Sequence, residues 1–163
     1  MTKEQEKIQA RIREYKKSLD MVEPVKAIVK AFDGKCYNCR FDNAIQELNC
    51  FVHHNRYSDC VEIVREYSYN DDTAAIICYF NLSKVLEDGK RINAEKIIEN
   101  ITNRMNKHKQ TIMQLECALK TIEDTLVYLN QKIAEVNNIV TSLSSECIDI
   151  YKSRFACINH NLR

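Results

Sequence analysis

Glycine and proline are almost missing from this chain, with two and one among 163 residues, and tryptophan is absent. Open sheets, barrels and hairpins need more turn chemistry than that. The scarcity therefore predicts an all-α fold. Long apolar runs are missing too. No stretch of 18 apolar residues occurs, so no transmembrane helix and no membrane partner are expected. Met1 to Lys7 is charged and carries no apolar h-region, so no signal peptide is visible. An excess of one charge sign is the third absence. The 24 basic residues face 23 acidic ones, which leaves no global argument for nucleic acid or membrane binding.

Catalytic motifs are also absent. With glycines only at 34 and 89, no glycine-rich phosphate loop can form, and neither Gly-x-Ser-x-Gly nor His-Glu-x-x-His occurs. The acidic pairs Asp71/Asp72 and Glu123/Asp124 are adjacent and read as a helix cap and a solvated helix face. The expectation is a protein that is not an enzyme and needs no cofactor.

What the chain does have is one long heptad ladder. Apolar positions recur at steps of three and four through Ile98, Ile101, Met105, His108, Ile112, Leu115, Leu119, Ile122, Leu126, Leu129, Ile133, Val136, Val140, Leu143, Cys147 and Ile150. A pattern kept this long predicts a coiled-coil-like helix meeting another helix. With Ile98, Met105 and every seventh residue after them at a, and Ile101, His108 and their successors at d, β-branched and unbranched residues mix. The mixture selects no oligomer state. Ala118 and Ile139 widen the stripe beyond a pure a/d seam. Packing within the chain, a second copy and a foreign helix are the three possible partners. The reading adopted is a homodimer through Ile112, Leu115, Leu119, Ile122, Leu126, Leu129, Ile133, Val136 and Val140. It makes the protein a non-catalytic interaction protein, of the inhibitor or adaptor kind, with an unidentified protein target.

His108 is the one plainly polar rung. The expectation is a ring near the exposed end of the seam that packs and reaches water; the other reading is a titratable layer that sets register. Weak helix formers crowd at 141–145, so residues 91–158 read as one long helix or a helical hairpin.

Residues 1–90 read as a compact helical domain. A first helix spans 3–22, with Ile8, Ile12, Tyr15, Leu19 and Val22 on one stripe. Pro24 opens a second helix to Asp33, and Gly34 suits its left-handed end. Further helices are predicted at 43–54 after Asp42, from Ser58 onward with Val61, Ile63, Val64 and Tyr67 inward, and at 73–87 after Asn70-Asp71-Asp72. Asp88-Gly89 marks a turn.

Two alternative functions rest on local clusters. Basic residues Lys7, Arg11, Arg13 and Lys17 on the first helix, with Arg104, Lys107 and Lys109, offer phosphate contacts for nucleic acid. Glu4, Glu6 and Glu14 are interleaved with the first patch.

The second alternative is a small zinc module. Eight cysteines without a signal peptide imply a cytoplasmic, reducing home with free thiols. Cys36-x2-Cys39-x13-His53-x6-Cys60 has the residue types of a tetrahedral zinc site, with Cys50 and His54 as competing ligands. That order resembles the zinc-binding repeat of apoptosis inhibitors over residues 36–60, and Tyr57 stands where that family often has an aromatic residue. The family's glycines, tryptophan and strand-forming residues are not found there. The resemblance implies a zinc ligand set of Cys36, Cys39, His53 and Cys60.

Overall fold

The computed structural model describes residues 2–55, 57–66 and 73–160, the last four without their side chains. It overturns the all-α expectation: helices frame two small antiparallel sheets. Helices α1 (Lys3–Asp20), α2 (Val22–Ala31) and α3 (Cys39–Gln46) come first. Strands β1 (Phe51–His54), β2 (Cys60–Val64) and β3 (Ile76–Asn81) follow and form one antiparallel sheet in the order β1-β2-β3. A short helix α4 (Leu82–Val85) leads into a second sheet, the hairpin of β4 (Leu86–Glu87) and β5 (Arg91–Ile92). Helix α5 (Ala94–His160) ends the chain and runs through 141–145 without a break.

The first two helices lie close to their expected bounds. Thr2 and Gln5 form a reciprocal capping box that satisfies two otherwise unpaired N–H donors. The stripe of Ile12, Tyr15 and Val22 is buried, as the spacing requires. The break between α1 and α2 falls at Met21, and Pro24 sits inside the first turn of α2, where its missing N–H is harmless. Gly34 takes φ +68° just past that helix.

Three predicted helices are wrong. The apolar runs at 51–54, 60–64 and 76–81 are too short to reveal a period, so helix and strand look alike. The expected 43–54 helix is α3 plus β1. It is capped by Asn38, whose side chain accepts from the Arg40 N–H at 2.9 Å, rather than by Asp42. Asn49, at φ 56°, turns the chain between them. The segment after Ser58 is β2, with Val61 and Ile63 buried on one face. The 73–87 helix is β3, α4 and β4. Asp88 and Gly89 both take positive φ, which a tight hairpin turn demands. The cap at Asn70-Asp71-Asp72 and the inward Tyr67 lie outside the described residues.

The chain divides into two units, residues 1–119 and residues 120–163. The first unit holds the main core. Val25 and Val29 of α2, Phe41 and Ile45 of α3, Val61 and Ile63 of β2, Ile77 and Phe80 of β3, and Ile97 and Ile101 of α5 are buried together. A smaller cluster joins α1 to α5 through Ile12, Tyr15, Ala74 and Ile112, with Ile8, Leu19 and Leu115 at its edge. Asp33 accepts from the Ala94 N–H at 2.9 Å, so the loop after α2 satisfies the start of α5. The second unit is the remainder of α5.

Candidate functional site

The proposed seam residues fall into two groups. Ile112 is buried, and Leu115 packs half-buried beside it against α1. Both therefore serve the first unit's core. Leu119, Ile122 and Leu126 are half-exposed. Leu129, Ile133, Val136 and Val140 lie open, at 48, 58, 57 and 55% exposure, and Leu143 and Ile150 continue the row. Val127, Ile139, Ile148, Tyr151 and Phe155 are exposed as well. A row of this length, apolar at heptad spacing, exceeds what monomeric surfaces usually leave in water. Opposite charges balance over this part of the sequence. Residues 120–163 contain five basic side chains (Lys120, Lys132, Lys152, Arg154, Arg163) and five acidic ones (Glu123, Asp124, Glu135, Glu146, Asp149).

The proposed zinc ligands are not brought together. Cys36 and Cys39 are exposed, the first beside Arg91 in a lone backbone bridge and the second opening α3. His53 sits on β1 opposite Glu62, with Nδ1 3.7 Å from Oε2. The Cys60 thiol donates to Asn81 Oδ1 at 3.2 Å. Among the described residues, no group of three His, Cys, Asp or Glu side chains could hold a metal ion. His54, a competing ligand, closes a polar cluster: its Nε2 lies 3.2 Å from Tyr37 Oη and 3.3 Å from Asp42 Oδ2. Burial and the neighbouring Asp42 carboxylate push the Tyr37 phenol up, so it stays protonated and donates to Asp42. Cys50, the other competitor, is buried and its thiol is pushed up to about 11, which disfavours the thiolate a metal needs. Metal analysis of protein purified without chelator is expected to find less than stoichiometric zinc. Cys39→Ser is expected to shift stability by no more than about 0.5 kcal/mol in thermal melts. One zinc per chain, released by that substitution, would overturn this.

The proposed nucleic-acid residues are dispersed and partly neutralised. Lys7 pairs with Glu4 at 3.6 Å and Lys17 with Glu14 at 2.8 Å. Arg11, Arg13, Lys107 and Lys109 are exposed. Glu14 also accepts from Arg65, and those two cationic partners hold its carboxyl below the ordinary range.

Arg104 differs from the other basic residues. It is half-buried and donates from Nη2 to the Thr73 carbonyl at 2.9 Å. One turn on, His108 is 3% exposed, so it does not reach water as expected. Its ring stands edge-on to Tyr15 with centroids 5.0 Å apart. Burial and the nearby Arg104 guanidinium push its pKa down to about 4. A cavity of about 310 Å³ opens here, lined by Tyr15, Thr73 and the 104–114 stretch of α5. The sequence marks Arg104 and Lys107 as phosphate-contacting residues and His108 as a polar rung, but not the cavity they line. Its signal was the i,i+4 pair Arg104/His108 on the face α5 turns toward α1.

No protein family, curated protein or solved structure matches this chain.

Proposed function

We propose that this chain is a non-catalytic interaction protein that self-associates as a homodimer through the second unit, with Leu126, Leu129, Ile133, Val136 and Val140 at the centre of the seam. The observation that carries the reading is the open apolar row from Leu129 to Ile150 on one helix. A lone helix draws little stability from propensity and gains most from burying such a face. The only charges at the flanking e and g positions from Glu123 to Tyr151 are Glu123, Lys132 and Glu146. Their wide spacing leaves a second copy free of a repulsive charge row.

Light scattering after size exclusion, across micromolar concentrations, tests the reading. A mass of twice 19.1 kDa is expected. A clean monomer at every concentration would sink it. Cys147 then reports orientation. It occupies an a position, where a parallel, in-register pair places equivalent side chains face to face, within disulfide reach. In a variant with the other exposed cysteines changed to serine, mild oxidation is expected to link parallel dimers covalently and to leave antiparallel dimers unlinked.

A further inference from the structure

The cavity beside His108 has the composition of an anion site. None of its lining residues is acidic, while Arg104 and Lys107 are cationic and Thr111 and Gln114 add neutral hydrogen-bonding groups. Two of the lining residues carry a buried polar atom without a partner among the described residues, His108 Nε2 and Arg104 Nε. An unpaired buried polar atom costs about 1–3 kcal/mol, so each calls for an occupant. Among the described residues, the neighbouring carboxylates Glu14 and Glu116 are engaged elsewhere. Glu14 is held by Lys17 and Arg65, and Glu116 by Lys16 at 3.0 Å.

We propose that this cavity binds a small phosphate-bearing molecule, its terminal phosphate seated among Arg104, Lys107 and His108. Arg104, Lys107 and His108 stand at i, i+3 and i+4 on one face of α5 and line one cavity, which suits a tetrahedral group with several acceptor oxygens better than a planar carboxylate. A phosphate oxygen at His108 Nε2 satisfies that atom whichever of the two carries the proton. Tyr15 and Thr73 also line the cavity and, among the described residues, add no negative charge. The volume lies at the lower end of small-molecule sites, and the cationic groups form one cluster rather than the row a polymer backbone would need.

The test titrates the full chain with ribose 5-phosphate, ribose, inorganic phosphate and a single-stranded oligonucleotide at constant ionic strength. Saturable binding of ribose 5-phosphate at one site per chain is expected, with none for ribose. In its presence the His108 ring pKa, followed by NMR, is expected to climb, because an adjacent anion favours the imidazolium. Arg104→Gln and Lys107→Gln are each expected to weaken binding about tenfold or more, the loss of one charge-assisted contact. Lys107 is exposed, so its variant keeps the test valid if Arg104→Gln unfolds. The proposal fails if neither phosphate probe saturates, or if Lys107→Gln leaves affinity unchanged and the His108 titration does not move. Oligonucleotide affinity that grows with length and exceeds that of ribose 5-phosphate also overturns it, in favour of a polymer site.

Discussion

Replacing Leu126 and Leu129 together by glutamate is expected to yield a monomer under conditions where the unaltered chain is a dimer. Each leucine buried in a seam contributes about 1.5–3 kcal/mol, so four such side chains in a dimer contribute about 6–12 kcal/mol. Placing carboxylates there adds the cost of desolvating unpaired charge. Since about 1.4 kcal/mol is tenfold in affinity, association should weaken by about ten-thousandfold or more. Light scattering reads the change in mass. Far-UV circular dichroism should show helix lost as well, because an unpartnered helix face forfeits its main stabilisation. The first unit should keep its thermal transition, since its core draws on α5 only as far as Ile112 and Leu115. If the starting protein is already monomeric and the substitutions only unfold it, the seam packs within the chain and the dimer reading is wrong.

Acid is expected to destabilise the first unit as the pH falls below neutrality. Buried His108 has a folded pKa near 4 against an ordinary value of 6.5. Between those values the unfolded chain binds a proton there and the folded chain does not, so stability falls as pH drops through that window and is fully present above it. The difference is worth up to about 3 kcal/mol. Denaturant melts at pH 7 and pH 4.5 should show most of this loss. His108→Gln should flatten the slope. The favourable partners of Glu14 and Asp59 lower their pKa values, so these carboxylates add their own loss at more acidic pH. A slope that survives His108→Gln would assign the effect to other groups.

The helices of this chain were readable because their apolar residues repeat often enough to show a period. Ile12, Tyr15 and Val22 in α1 and α2, and the ladder of α5, are buried or aligned as their spacing indicates. The strands escaped because few glycines and prolines were taken to mean few turns. Asn and Asp do that work instead. Asn49 and Asp88 adopt positive φ, and the Asn55 side chain accepts from the Tyr57 N–H at 3.0 Å to turn β1 into β2. Both residue types tolerate the left-handed region through short-range hydrogen bonding. The alternation of Cys60-Val61-Glu62-Ile63-Val64 and the pair Asp88-Gly89 between Leu86-Glu87 and Arg91-Ile92 were the available signals. Of the interaction surface, the row beyond Leu126 was legible. The division at Ile112 and Leu115 was not, because the same heptads continue into the core and only α1 shows which face is already taken.

The packing of α1 on α5 also orders events during synthesis. Lys16 meets Glu116 across 100 residues, and Ile12 and Tyr15 share a cluster with Ile112. Helix α1 thus emerges before its partners, and its apolar stripe, which Ala74 covers in part, is fully covered only once about position 112 has cleared the exit tunnel. Translation at about 5–20 residues per second makes that an interval of seconds, far longer than a helix needs to form. The residues that pair between Phe51 and Asn81 are all synthesised within this interval, so the sheet and Ala74 are available to α1 before Ile112 completes the cluster. Until Ile112 arrives, part of the amphipathic face of α1 stays open, the kind of surface a chaperone holds.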